Sequence, residues 1–288
     1  MAYSLLITFR EGVEAALIIA IVFGYLGRLG EQRLYRRVWL GAGLALFGSV
    51  LAGVALQVIR VKLSGAALEA LEGSTMFLAV AVLTWMIFWM RRQAASLGGH
   101  LRSQVDMALK TGSGVALALL AFSAVGREGL ETVLFLFAGA GAAPSGLLYW
   151  LGAGSGLLAA GAAGYLLYVG TARLPLRAFF DITGVALIVL AAGLLVGGMR
   201  EFREMGLFSN LGPHVWDTYG VLADNSSLGR FLAALIGYDS SPLLGQLVAY
   251  WTYLLAALGL FFLGRGRPHA VRAVSQPAAS TVESARRP

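Results

Sequence analysis

The sequence predicts an all-α integral membrane protein with about seven transmembrane helices. Hydrophobic residues make up 58% of the 288 positions and charged residues only 13%, whereas about a quarter of an ordinary soluble domain is charged. Apolar runs of roughly 20 residues, each long enough to cross a hydrocarbon core of about 30 Å as a helix, fill most of the chain. The basic residues collect between these runs, as membrane topology requires.

Seven apolar runs define the predicted helices in chain order. Charges interrupt the first and fourth runs, acidic residues open the third and sixth, and the others are largely apolar. The connection after the sixth run is polar and aromatic, which favours an extracytoplasmic, interfacial and partly helical segment. The Pro-, Ala- and Ser-rich end predicts a disordered cytoplasmic tail. The helices are 2–27, 38–59, 69–90, 112–139, 146–170, 178–199 and 243–263, the connection is 200–242, the tail is 265–288, and one transmembrane domain spans 1–264.

The placement of basic residues predicts the orientation. Lys and Arg number 15 in the tail and in the connections between helices 1 and 2, 3 and 4, and 5 and 6, against 5 in the connections on the other side. Because cytoplasmic segments carry the excess, the N-terminus is expected outside and the C-terminus in the cytoplasm. This topology also explains the net charge of +7, so no nucleic-acid partner is expected. No basic region precedes the first run, which argues against a cleaved signal peptide.

A charged motif occurs twice inside the apolar runs, as REGVE at 10–14 and REGLE at 127–131. A charge near the centre of a membrane helix costs at least ~2.5–3.5 kcal/mol, so such residues are rarely incidental. The copies lie 117 residues apart, in the first and fourth helices, and the intervening three crossings reverse the chain direction. Helices 1–3 (about 1–91) and 4–6 (about 112–200) are therefore predicted to be inverted repeats.

The spacing inside each motif places its carboxylates together. The two glutamates are three residues apart and share one helical face, and the arginine stands four residues before the second glutamate. The second glutamate of the first copy lies about 12 residues into its helix, roughly 18 Å deep and near the bilayer midplane. The glycines between the glutamates are expected to let the two motif helices approach closely. Because inverted repeats gather equivalent residues at their interface, Glu11 or Glu14 is expected to face Glu128 or Glu131 across a narrow gap. The residues are Arg10, Glu11, Gly12 and Glu14 in the first copy, and Arg127, Glu128, Gly129 and Glu131 in the second.

The available ligand types favour a hard cation. The chain has no cysteine, which excludes disulfides and thiolate metal sites, and His100, His214 and His269 lie outside the predicted helices. Carboxylates alone suit ferric iron, manganese, magnesium or calcium, and ligand type does not choose among these. A purely structural salt bridge is the alternative, but each motif has two acids for one base, and Glu69 with Glu72 adds a further i, i+3 pair.

The duplicated REGVE and REGLE, the EALEG opening of the third helix and the seven-helix layout resemble the high-affinity iron permease family, over most of the chain. Val13 replaces the leucine usual in the motif. The resemblance implies the glutamates of both motifs as iron ligands, with the third-helix Glu-x-x-Glu matched by Glu69 and Glu72. It also implies inward iron transport after oxidation to ferric ion by a partner, which is a multicopper ferroxidase in fungi and an extracytoplasmic oxidase-type or cupredoxin-like protein in bacteria.

The resemblance sets the remaining expectations about ligands and location. Iron is expected as transported substrate, with no permanently bound cofactor. The expected partners are the iron ion, extracytoplasmic iron-oxidising or iron-delivering proteins and membrane lipid, and the expected location is the plasma membrane, here a bacterial inner membrane. A permease for another metal such as manganese or lead remains the nearest alternative. A proton-relay subunit without metal, and an intramembrane hydrolase that uses paired glutamates as acid and base, are further alternatives; the hydrolase lacks an embedded His or Cys and a nucleophile elbow.

Three other features of the sequence each have a structural and a functional interpretation. Met86 and Met90 are spaced as a soft-metal pair, but beside Trp85 and Trp89 they favour packing or lipid contact. Asp181 opens the sixth helix and is either an N-terminal cap or a proton relay. In the 200–242 connection, an interfacial segment is favoured over a metal-collecting site, whose candidate ligands are His214, Asp217, Asp224 and Asp239.

Overall fold

The computed structural model describes residues 1–93, 97–110, 114–141, 146–169, 176–208, 210–224 and 226–263. These residues are largely helical and contain no β-strand, apart from one isolated bridge between His214 and Leu243. Each of the seven predicted runs coincides with a long helix. The helices are α1 Ala2–Arg28, α2 Tyr35–Lys62 after a short 3-10 turn Gln32–Leu34, α3 Ala66–Gln93, α4 Leu97–Lys110, α5 Gly114–Ala140, α6 Gly146–Tyr168, α7 Leu176–Glu204, α8 Ser227–Ile236 and α9 Leu244–Leu263.

The fold class is confirmed as an all-α integral membrane protein. Among the described residues, five helices are long and apolar enough to cross a membrane: α2, α3, α6, α7 and α9. Helices α1 and α5 are 27 residues each, but each also carries the three charges of its motif, which lowers its hydropathy. The expected orientation stays a prediction, and the predicted disordered tail 265–288 lies outside the described residues.

The outer helices present apolar side chains outward. On α2, Trp39, Phe47 and Leu51 are all more than half exposed. Such a continuous apolar surface is not compatible with water and is expected where a helix contacts lipid. Helices α3 and α7, by contrast, are about half buried and form the centre of the bundle. The core that positions the motifs therefore lies between α1, α3, α5 and α7.

The main helix pairs are α1 with α6, α2 with α5, and α3 with α7. Small residues make the first two pairs close: Gly12 faces Ala160 across α1 and α6, and Gly129 faces Ser49 across α5 and α2. The two glycines are 117 residues apart, and Ala160 follows Ser49 by 111. Adding 117 to the residue number on α1 and subtracting 111 from the residue number on α6 therefore converts the first contact into the second.

A second pair of contacts between these helices is related by the same two differences in residue number. Gly152 on α6 lies against the backbone of Met1, and Gly41 on α2 lies against the backbone of Ala118. Met1 and Ala118 differ by 117 residues, and Gly41 and Gly152 by 111. Because residue numbers rise together across both pairs, α1 runs parallel to α6 and α2 parallel to α5. This packing supports the proposal that helices 1–3 and 4–6 are repeats.

Two shorter helices lie outside the predicted apolar runs. The α4 segment was expected to be a connection, but Leu101, Val105 and Ala108 recur at helical spacing and are buried. Asp106 on the polar face of α4 accepts a 2.6 Å hydrogen bond from Tyr25, which connects α4 to α1. The α8 helix fits the expectation that the 200–242 connection is partly helical; Ser226 caps its start and Gly237 ends it with a positive φ.

Candidate functional site

The two motifs meet where α1 and α5 cross. One carboxylate oxygen from each of Glu11, Glu128 and Glu131 lies within 4.8 Å of the others, and all three side chains are buried. Helices α1 and α5 run antiparallel, since Tyr3 at the start of α1 donates a 2.9 Å hydrogen bond to the carbonyl of Phe135 near the end of α5. The predicted meeting of the two motifs across a narrow gap is therefore seen in the structure.

The first motif is sealed in the interior. Arg10 donates a 2.7 Å hydrogen bond to Glu11, and its other terminal nitrogen lies 2.8 Å from Glu14. The same guanidinium also donates to the sulfur of Met86 on α3 at 3.2 Å. All three charged side chains of this motif are about 2% exposed or less. Met86 is thus a packing residue that borders the motif, and it does not face lipid.

The second motif is looser. Arg127 lies 3.2 Å from both Glu128 and Glu131, and its side chain is 34% exposed. The indole ring of Trp89 on α3 covers the guanidinium, with 4.6 Å from the guanidinium carbon to the ring centroid. A cation over an aromatic face is attracted by the ring quadrupole. Trp89 is thus a neighbour of the site, a role that its position in an apolar run does not indicate.

The combined cluster has an excess of negative charge. Four glutamates face two arginines. One oxygen each of Glu11, Glu128 and Glu131, and both oxygens of Glu14, have no hydrogen-bond partner among the described residues. Buried carboxylate oxygens without partners are costly, so the cluster requires a cation or protons. Oxygen ligands of a small hard cation stand up to about 4.2 Å apart, twice a metal–oxygen distance of about 2.1 Å. The 4.8 Å spread is thus within a small side-chain adjustment of binding one ion.

A small cavity of about 40 Å³ adjoins this cluster. Glu14 and Glu128 line it, together with residues that include Leu17, Trp89 and Phe180. Leu17 follows Glu14 along α1, Trp89 lies near the end of α3, and Phe180 lies near the start of α7. The cavity is therefore on the side of the carboxylates towards the end of α1, which the predicted orientation assigns to the cytoplasm. Its volume exceeds the roughly 10–15 Å³ of accessible space that one water-sized guest needs.

The motif glycines do not bring α1 and α5 together, and that expectation is wrong. A Cβ atom on Gly12 would lie 2.6 Å from the Cβ of Ala160 on α6, and one on Gly129 would lie 2.2 Å from the Oγ of Ser49 on α2. Each glycine therefore sets the distance between its motif helix and the partner helix behind it. The glutamates on either side of the glycine are consequently directed towards the other motif.

Glu69 and Glu72 lie away from the central cluster. Glu72 accepts a 2.6 Å hydrogen bond from Arg60, and the 14 residues that separate it from Met86 correspond to about 21 Å of helix. The structure therefore does not place this pair with the motif glutamates. Its neighbour is Glu201 near the end of α7, which packs against Gly73 on α3.

A third Arg-Glu-x-x-Glu string, REFRE at 200–204, is not among the candidate residues named from the sequence. A search for the motif pattern alone would have found it. Unlike the central arginines, Arg200 pairs with an acid outside its own string, since its guanidinium lies 2.5 Å from Asp239 in the connection between α7 and α9. This string therefore fastens the connection to the end of α7.

The remaining candidate residues are Asp181 and the polar residues of the 200–242 connection. Asp181 lies inside α7, five residues after its start, so the interpretation as an N-terminal cap is wrong and the relay stays a prediction. In the connection, Asp224 accepts hydrogen bonds from the backbone and hydroxyl of Ser240, and His214 bonds the carbonyl of Ser241. Asp217 accepts from the backbone of Tyr219. These hydrogen bonds stabilise the fold of the connection, which agrees with its interpretation as an interfacial segment in preference to a metal-collecting site.

Comparisons with known proteins agree with the geometry. Residues 1–266 match the Iron permease FTR1 family. A ferrous iron permease EfeU of Yersinia pestis is 38% identical over 260 residues, which cover 90% of this chain and 92% of the relative. The ferrous iron permease EfeU of Escherichia coli O6:K15:H31 is 37% identical over 260 residues, covering 90% and 94% respectively. No solved structure matches the chain significantly. The chain therefore belongs to the iron permease FTR1 family.

Proposed function

We propose that the protein carries iron inward across the plasma membrane, in a bacterium the inner membrane, by binding the ion between the two motifs. The observation that carries this proposal is the convergence of Glu11, Glu128 and Glu131, each with an unsatisfied buried oxygen. Family membership and relatives named as iron permeases support a transporter and give no support to an enzyme. Glu14 borders the adjoining cavity and is the next ligand on the path towards the end of α1.

The arginines are proposed to hold the carboxylates without filling the site. Arg10 and Arg127 each engage one oxygen of their glutamates, which leaves the second oxygen of each acid free. Two positive charges against four negative charges also leave the site with net negative charge for an incoming cation. The site thus keeps its shape before the ion arrives and its charge imbalance is reduced when the ion binds.

The proposed substrate at the site is ferric iron delivered by an extracytoplasmic oxidase or iron-delivering partner. The three converging ligands are all carboxylate oxygens, which suit the harder ferric ion. Of the soft sulfur ligands nearby, Met86 accepts a hydrogen bond from Arg10, and Met90 lines the adjoining cavity. The relatives are named as ferrous iron permeases, which agrees with this proposal if the partner oxidises ferrous iron before it reaches the carboxylates. Glu69 and Glu72, on the side where α1 begins, are proposed as entry ligands on this path.

Uptake of radioactive iron into proteoliposomes tests the proposal. Ferrous and ferric iron are supplied separately, and manganese and lead are added as competitors. We expect ferric iron to accumulate and Glu131→Gln to reduce its uptake at least tenfold. We expect Glu31→Gln, which replaces a partly exposed acid that forms an ion pair with Arg33, to have no effect. Equal uptake of manganese or lead would favour a general metal permease. Proton flux without any metal uptake would favour the proton relay and contradict the proposal.

A further inference from the structure

The two motif arginines differ although their motifs are repeats. Arg10 lies 2.7 and 2.8 Å from its two glutamates and is 2% exposed. Arg127 lies 3.2 Å from both of its own and is 34% exposed. The second motif therefore binds its own arginine more weakly than the first.

Contacts with helix α3 explain why the two arginines differ. This helix gives Arg10 the sulfur of Met86, which is a weak acceptor and leaves the guanidinium on its carboxylates. It gives Arg127 the face of Trp89, which attracts the same cation that the carboxylates attract. The ring and the carboxylates thus compete for one guanidinium. This competition explains the longer distances in the second motif.

We propose that Trp89 is a positioning residue of the iron site, which holds Arg127 back from Glu128 and Glu131 so that their oxygens remain available to the metal. This inference rests on the proposed function. Two of the three convergent carboxylates belong to the second motif, so the position of Arg127 decides how strongly the site binds iron. Arg127 also stands beside the cavity that adjoins the cluster, where a guanidinium that moves towards the acids competes with the bound ion.

The proposal predicts that removal of the ring weakens iron binding. In Trp89→Ala, Arg127 closes on its carboxylates, and the dissociation constant for iron rises between about 2-fold and 30-fold, the range that corresponds to a cation–π contact. Trp89→Phe keeps an aromatic face and restores part of the affinity. Trp150→Ala is the matched control, since it deletes an exposed indole of α6 that contacts only the ring of Tyr149 among the described aromatic rings.

A double substitution separates positioning from packing. If Trp89 acts through Arg127, then Trp89→Ala changes the affinity in the full-length protein and has no further effect when Arg127→Ala is already present. A loss of packing would lower the affinity equally in both backgrounds. The measurement is equilibrium dialysis of radioactive ferric citrate against the purified full-length chain, with thermal unfolding as a check that each variant is folded.

The outcomes are distinct. Affinity that falls in Trp89→Ala, recovers in Trp89→Phe and depends on Arg127 supports the proposal. Unchanged or tighter iron binding in Trp89→Ala, or an equal loss of affinity in the Trp150→Ala control, would overturn the positioning role of Trp89. In that case, iron binding by the unsubstituted protein and the loss of this binding in Glu131→Gln would still support the proposed function. Absence of iron binding in the unsubstituted protein would overturn both.

Discussion

Gly129 is predicted to be essential for the position of the second motif. The helix α5 lies so close to α2 that a Cβ atom at this residue would stand 2.2 Å from the Oγ of Ser49 and 2.9 Å from its Cβ. The hydroxyl could rotate away, but the Cβ cannot, so Gly129→Ala must push the two helices apart. Overpacking of this kind costs about 1–3 kcal/mol.

Gly126→Ala, one turn earlier on the same helix, is the matched control. Its added Cβ would lie 3.6 Å from the Cβ of Ala45, which is an ordinary contact. Both substitutions gain the same helix propensity, about 1 kcal/mol, so the difference between them isolates the clash at Gly129. The expected difference in melting temperature is roughly 2–10 °C for a protein of this size. Uptake is expected to fall only in Gly129→Ala, because Glu128 and Glu131 move with the helix.

Intrinsic tryptophan fluorescence during heating of the purified protein measures the melting temperature, and proteoliposome uptake measures function. Ser49→Gly removes both clashing atoms and is expected to restore Gly129→Ala in both assays. If Gly129→Ala melts at the same temperature as Gly126→Ala and transports equally well, then the close contact between α2 and α5 does not position the motif.

Three further substitutions test the neighbourhood of the site. Glu14→Gln is expected to reduce uptake at least tenfold with unchanged melting temperature, because an amide keeps the size and removes the anionic oxygen that a hard cation needs; near-normal uptake would remove Glu14 from the ligand set. Arg10→Ala is expected to cost about 3–5 kcal/mol of stability as well as function, because it leaves buried carboxylates unpaired; a stable, active variant would show the pairing to be incidental. Tyr3→Phe loses the bond to Phe135 and is expected to cost about 1 kcal/mol in unfolding experiments; no measurable change would show that this bond does not hold the crossing.

Most of the fold was readable from the sequence because membrane helices are long and apolar. Each of the seven predicted runs coincides with a helix. Helix α4 was missed because its apolar residues, Leu101, Val105 and Ala108, alternate with polar ones and form no run. The pairing of α1 with α6 and α2 with α5 depends on contacts between glycines and residues of distant segments, and no local pattern specifies these contacts.

The candidate site was predictable in part. The repeated motif and its spacing indicated that carboxylates of α1 and α5 would meet, since inverted repeats bring equivalent residues together. The contact of Trp89 with Arg127 was not predictable, because it depends on how α3 is rotated against α5. The separation of Glu72 from the cluster follows from its distance along α3 once Met86 is known to contact Arg10. That contact was itself not readable from the sequence.

The most direct test of the central claim is X-ray absorption at the iron edge on the iron-loaded, purified protein. The shared-site account predicts one iron per chain with oxygen ligands only, and loss of this signal in both Glu11→Gln and Glu131→Gln, because each motif contributes to the same site. Nitrogen or sulfur ligands, or full retention of the iron signal when either glutamate is replaced, would contradict it.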